Sequence, residues 1–340
     1  MCPSGNSDES HGWRGDPFAA ELQQLSQDAA QPERKRKAAA RFVNILSRPL
    51  LLGIFGEYGA GQLALINNLL RTEICPPAFT FGKRPITYIR YSGVPSMHSI
   101  TAHGKKYRLT TQGLVRIAQQ RQAAAKENAK VIYKAPIKPS PLSQTPSFIK
   151  PATAGQEDEI AAIEIQLPLP SLRQLEILDW PLDQPLQSSP RLRQLLKGRG
   201  TPDIAAWVTL ATGAWKNSEH MTWKSLPVSA KPSHLLLTDC EALNGQTRAR
   251  LDERLKDSAG SMFLDRFYLS LRDASALARS GREITQAEWQ ATGIPTFEAA
   301  LATVSQRIWA DRVERMRRLL LRLDRRALNG NRPLRRPNAA

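Results

Sequence analysis

The chain has 340 residues, enough to bury one large α/β core or two ordinary ones. Its 41% apolar content and seven tryptophans exclude a disordered chain, and no apolar run approaches the ~18–20 residues of a bilayer span. A formal net charge of +17 points to polyanionic partners, either nucleic acid or an anionic membrane face.

The first sixteen residues are polar and partly acidic and lack the regions of a signal peptide, so a cytoplasmic protein is expected. Cys2, Cys75 and Cys240 are too widely spaced for a disulfide framework or a zinc site. Residues 1–35 read as a disordered leader with a short helix from Pro17 to Gln27. Strand signals then recur at 50–56, 86–92, 160–168, 175–180, 204–210, 234–238 and 266–271. Several are short, continuous apolar runs, the pattern of strands covered on both faces. Helical stretches at 188–198 and 247–257 lie between them, and such alternation predicts a mostly parallel sheet with helices on both sides. Residues 118–157 break the pattern with a proline- and serine-rich run, read as a flexible insertion.

The last element spans roughly 296–328. Trp309, Val313, Met316, Leu320 and Leu323 recur at helical spacing, which predicts an amphipathic helix packed on its own domain. Residues 307–340 carry eleven arginines against three acids, with residues 329–340 read as a basic tail. Arg312, Arg315, Arg318, Arg322, Arg325 and Arg326 are the candidate surface for an anionic partner.

The strand at 50–56 is followed by a glycine loop and a helical run from Ala64 to Leu70. Gly56, Gly59 and Gly61 hold the spacing of a phosphate-binding loop, G-x-x-x-x-G-K-[ST]. Glycines there let backbone N–H groups wrap phosphates at a helix N-terminus. Gln62 stands at the lysine position and Leu63 at the Ser/Thr position. Gln62 carries no charge for the β/γ-phosphates, and Leu63 offers no hydroxyl to Mg²⁺. Losing one partner of a desolvated charge pair costs roughly 2–5 kcal/mol, which is large beside ordinary nucleotide affinity.

Several segments in order resemble the GTPase domain of the dynamin family, particularly bacterial dynamin-like proteins. They are the glycine loop ending in LINNLL, ITYIRYSG at 86–93, IEIQLPLPSLRQLEILDWPL at 163–182, DIAAWVTLATGAWKNSE at 203–219, HLLLTDCEAL at 234–243 and GIPTFEAAL at 293–301. The likeness covers roughly residues 40–327 and implies a three-layer α/β P-loop GTPase-like domain over 36–328 with a long basic C-terminal helix. It places Asp179 in the D-x-x-G loop, with Leu182 where the glycine would approach the γ-phosphate. It places Thr238, Asp239 and Glu241 where T-K-x-D would read guanine. The switch threonine that completes a Mg²⁺ shell falls near Gly82 and Lys83.

The resemblance therefore implies a catalytically inactive pseudo-GTPase that acts as a scaffold or regulatory partner. The expected partner is an active dynamin-like GTPase or a second copy, at an anionic, peripherally bound membrane surface. No catalytic residue or cofactor is expected. Weak, metal-independent GTP or GDP binding stays open at the degenerate site, and Mg²⁺ does not fit it. Two alternatives remain, a GTP-binding dynamin-like GTPase with atypical motifs and a nucleic-acid binder using the arginine-rich C-terminus.

Other chemistry has little support. The five histidines, His11, His98, His103, His220 and His234, form no metal-ligand or triad spacing. Glu157, Asp158 and Glu159 read as solvated. Trp207, Trp215 and Trp223 recur every eight residues and read as packing beneath the sheet rather than as a base-stacking platform.

Overall fold

Strand β1 (Leu50–Gly56) shows why the sheet is buried on both sides. Leu50, Leu52 and Ile54 feed one hydrophobic core, while Leu51 and Phe55 feed the other. A strand of period two can serve two cores only if nearly every residue is apolar. The computed structural model describes residues 16–57, 59–74, 85–101, 105–110, 160–182, 201–226 and 231–330.

Among these residues nine strands form one sheet in the order β4-β3-β5-β2-β6-β1-β7-β8-β9. The others are β2 (Ile86–Tyr91), β3 (Ser96–Thr101), β4 (Lys106–Arg108), β5 (Ile160–Leu167), β6 (Leu175–Pro181), β7 (Ile204–Leu210), β8 (Ser233–Thr238) and β9 (Asp265–Leu269). From β6 through β1, β7 and β8 to β9 every pairing is parallel. β2 is parallel to β5 but antiparallel to β6, and β3 and β4 add an antiparallel edge. The polar runs SMHSIT and KYR give β3 and β4 no apolar periodicity, so the sequence pattern does not signal them.

Helices cover both faces. Helix α3 (Gln62–Leu69), α6 (Leu271–Arg279) and the first half of α8 (Ile294–Gly330) bury Leu65, Ile66, Leu271, Phe297 and Trp309 against one face. Helices α4 (Asn217–Ser225) and α5 (Gly245–Ser258) bury Trp223, Leu251 and Leu255 on the other. A short helix α7 (Gln286–Ala291) precedes α8. The 188–198 and 118–157 readings and the last ten residues of the tail lie outside the described residues.

The leader reading is corrected for residues 16–35. Helix α1 (Pro17–Gln27) is capped by Asp16, whose carboxylate accepts from the Phe18 N–H at 2.8 Å, and helix α2 (Glu33–Leu46) follows it. Phe18 and Leu22 of α1, Ala39, Phe42 and Leu46 of α2, and Val313, Met316 and Leu320 of α8 form a third core. Their apolar positions suffice to order these helices despite the polar surroundings. Helix α8, 37 residues and about 55 Å long, thus belongs to the sheet at one end and to a three-helix bundle at the other.

Candidate functional site

The carboxyl ends of β1, β6, β7 and β8 converge on the glycine loop after β1. Gly56 closes the strand against β7, where any Cβ would meet the Val208 carbonyl at 2.3 Å. Gly61 takes φ = 94° as the residue before α3, a conformation that favours glycine. Gly56 and Gly61 thus stand where the backbone itself favours glycine.

Its side chains turn inward. Gln62 is 1% exposed, and its Nε2 points at the carbonyls of Gly56 and Trp180, 3.4 Å from each. Leu63 packs against the core beneath α3. The Leu182 N–H, at the position where the dynamin pattern has a glycine, donates to the Gly56 carbonyl at 3.1 Å. The Thr238 hydroxyl donates to the Ala60 carbonyl at 2.8 Å. Two groups at phosphate-contact positions, the Gln62 amide and the Leu182 N–H, are thus directed at the loop itself, and the Thr238 hydroxyl of the base-reading segment ties β8 to it. Asp179 is fully buried, level with Ile54 of β1 and Thr87 of β2.

At the base-reading end, Asp239 takes φ = 54° and leads into a short turn over Cys240–Ala242. Arg272, at the start of α6, places its guanidinium 3.3 Å from the Asp239 carboxylate and 3.7 Å from that of Glu241. Glu241 therefore faces a cation of its own chain. The switch threonine position near Gly82 and Lys83 lies outside the described residues.

The structure adds residues that the spacing did not suggest. Glu57, one residue past Gly56, accepts from Lys216 Nζ at 2.7 Å and from Ser218 Oγ at 3.1 Å. The Glu57 carboxylate raises the Lys216 pKa above its ordinary value. Lys216 is itself held: its N–H donates to Glu219 at 2.8 Å, and the other oxygen of Glu219 accepts from the Trp207 indole at 3.1 Å. An acid within a phosphate loop opposes an anion, and that was the available sequence signal for Glu57. Lys216, Ser218 and Arg272 carried none, because they approach the loop from distant segments.

The arginine surface is divided. Arg312 is 20% exposed and donates to Asp203 at 2.6 Å and to the Arg48 carbonyl at 3.3 Å. It therefore ties α8 to the sheet and leaves the outward surface predicted for it. Arg317 pairs with Asp16 at 3.1 Å and lies over the Phe18 ring. Arg315, Arg318 and Arg322 are exposed. Arg325 and Arg326 continue the same helix.

The tryptophans pack. Trp207 meets Trp215 and Trp223 edge-on at 5.6 and 5.9 Å, and Phe263 completes the cluster. His234 is fully buried on β8 between Phe267 and Phe297, where burial lowers its pKa. Burial pushes the Cys240 thiol up to about 11. Among the described residues no group of three His, Cys, Asp or Glu side chains is placed to hold a metal ion, and no helix is long and apolar enough to cross a membrane.

Sheet, loop and helices together define a mixed α/β domain of dynamin-like fold. No protein-family model matches the chain, and no curated protein matches it. Two solved structures described as an oligomerised bacterial dynamin pair, providing a mechanism for long-range sensing and tethering of membranes, are similar to it. One aligns at 14% identity with a TM-score of 0.54, covering 92% of this chain and 47% of that one. The other aligns at 12% identity with a TM-score of 0.50, covering 92% and 44%. The chain thus spans less than half the length of those dynamins, and at such identity the likeness is one of fold.

Proposed function

We propose that this chain is a dynamin-like pseudo-GTPase: a three-layer P-loop domain that has lost phosphoryl chemistry and acts by binding. Its partner in this reading is a dynamin-like GTPase or a second copy of itself, and its place of work is the periphery of an anionic membrane. The fold neighbours, an oligomerised pair that tethers membranes, support that choice of partner and surface.

The observation that carries the reading is the inward turn of the loop. Nucleotide binding in a P-loop needs a lysine charge on the β/γ-phosphates, a hydroxyl on Mg²⁺ and backbone N–H groups aimed at the ligand. Here the lysine position is a buried amide directed at Gly56 and Trp180. The hydroxyl position is a partly buried leucine packed against the core, and the Leu182 N–H is bonded to Gly56. At the base end Arg272 competes for Glu241. GTP would have to displace these contacts while gaining no new charge.

The test is a titration of the full chain with fluorescent GTP and GDP, with and without Mg²⁺. The expected result is no saturable binding below about millimolar, the affinity left when about 4 kcal/mol, within the roughly 2–5 kcal/mol cost of an unpaired charge, is removed from a micromolar site. Micromolar, Mg²⁺-dependent binding overturns the reading.

A further inference from the structure

On the bundle half of α8, the side turned away from α1 and α2 carries Arg315, Arg318 and Arg322 at spacings of three and four residues. That spacing sets them on one face, about 5 Å apart along the helix. All three are exposed, and Arg318, 69% exposed, has Glu314 beside it at 2.8 Å. Arg312 and Arg317, which neighbour them in sequence, are engaged by Asp203 and Asp16. The fold thus separates arginines that hold the molecule together from arginines turned outward.

We propose that this outward row of α8 is a docking surface for the phosphate headgroups of an anionic bilayer. The helix lies flat on the bilayer and is held by charge without insertion. The proposal deepens the membrane part of the proposed function and rests on it. Insertion is excluded by the bundle itself, since Val313, Met316 and Leu320, the apolar face an amphipathic helix would bury in lipid, are already covered by Phe18, Leu22, Phe42 and Leu46. Leu321, 59% exposed, is a single apolar side chain beside the row. The exposed acids on this stretch, Asp311 and Glu314, are outnumbered by the exposed Arg315, Arg317, Arg318 and Arg322, so the surplus charge is complementary to an anion.

Nucleic acid fits less well. Surfaces that take single strands interleave their cations with exposed aromatic rings. From 307 to 323 the aromatic residue is Trp309, 9% exposed and part of the sheet-side core. A row of guanidinium groups without a stacking platform suits a plane of phosphates.

The experiment is co-sedimentation of the full chain with phosphatidylglycerol-containing vesicles and with phosphatidylcholine vesicles. The variants are Arg315→Gln/Arg318→Gln/Arg322→Gln and a charge-matched control, Arg250→Gln/Arg254→Gln/Lys256→Gln, on exposed positions of α5. Each basic residue at an anionic surface is worth about fivefold in partitioning, so the α8 variant should lose on the order of 100-fold. The control should stay within a few-fold, and added salt should abolish the wild-type signal. If the wild type binds anionic vesicles and both variants lose equally, or neither loses, the assignment to α8 fails while the membrane reading stands. If the wild type binds no anionic vesicle, both fail. Binding that persists in high salt or on neutral vesicles overturns docking by charge. Tighter, salt-sensitive binding of the wild type to single-stranded RNA, lost in the α8 variant, transfers the surface to nucleic acid.

Discussion

The Gly56 carbonyl takes the Leu182 N–H, and the Gln62 amide points at it as well. One acceptor thereby engages both the side chain at the lysine position and the N–H at the D-x-x-G glycine position. Leucine at 182 gives the strand end a side chain that packs on the adjoining core, which a glycine could not do. His234 is a second residue whose chemistry is set by surroundings. Both ring nitrogens are buried among Phe267 and Phe297, with Asp265 3.7 Å from Nδ1. Burial depresses its pKa, so the fold favours the neutral ring, and the unfolded chain protonates first as pH falls. The stability His234 contributes is therefore full above its ordinary pKa of about 6.5 and declines as pH drops below it. Urea midpoints measured from pH 7.5 to pH 5 should fall, and His234→Leu should flatten that slope. An unchanged slope in the variant would assign the acid sensitivity elsewhere. No local pattern signals this site, because a lone histidine in an apolar strand has the same spacing whether its ring is core or surface.

Among the elements, α8 is fastened to the sheet at a charged junction. The Asp203 carboxylate, just before β7, accepts from the Leu51 N–H of β1 at 3.0 Å and from Arg312 of α8 at 2.6 Å. A small cleft of about 150 Å³ lined by Ile45, Arg48, Pro49, Leu51 and Glu176 adjoins the pair. Both partners are less than a quarter exposed, so the pair is screened less than a surface salt bridge. Arg312→Ala should destabilise the protein by about 1–3 kcal/mol, the usual cost of leaving a half-buried acceptor without its donor. Denaturant unfolding at low and high salt checks this. A loss below about 0.5 kcal/mol at low salt would mean that the junction is held by apolar contacts instead. Here periodicity was informative and charge was not. The apolar positions Trp309, Val313, Met316 and Leu320 predicted the helix and its buried face, but nothing local separates Arg312 from Arg315. Only the strand end at Asp203, more than a hundred residues upstream, makes that distinction.

At the scale of the molecule, the continuous apolar strands and the glycine loop were legible because each is written in consecutive residues. β3 and β4 were not, since they are stabilised by register against β5 rather than by an apolar pattern of their own. Of the α1–α2 hairpin, α1 was legible as a short helix, but α2 and the packing of both were not, because their core is completed by residues near 316. The pairing of Lys216 with Glu57 and of Arg272 with Asp239 and Glu241 was illegible for the same reason: both cations arrive from distant segments. The bundle makes a further prediction. Leu320 is buried between α1 and α2, so Leu320→Ala should cost about 2–5 kcal/mol. Thermal unfolding, followed by tryptophan fluorescence for the sheet and by proteolysis at α1 for the bundle, should shift together. Separate transitions would show that the bundle melts alone.

That expectation follows from α8 alone. Its first turns carry Phe297 and Leu301 in the sheet-side core, and its later turns carry Met316 and Leu320 in the bundle, with no break between them. A helix shared by two cores cannot lose its backbone order at one end without weakening the hydrogen-bond ladder that supports the other. The two cores are thereby joined into one cooperative unit, and the N-terminal hairpin, which is remote in sequence from every strand after β1, draws its stability from the same rod that closes the sheet.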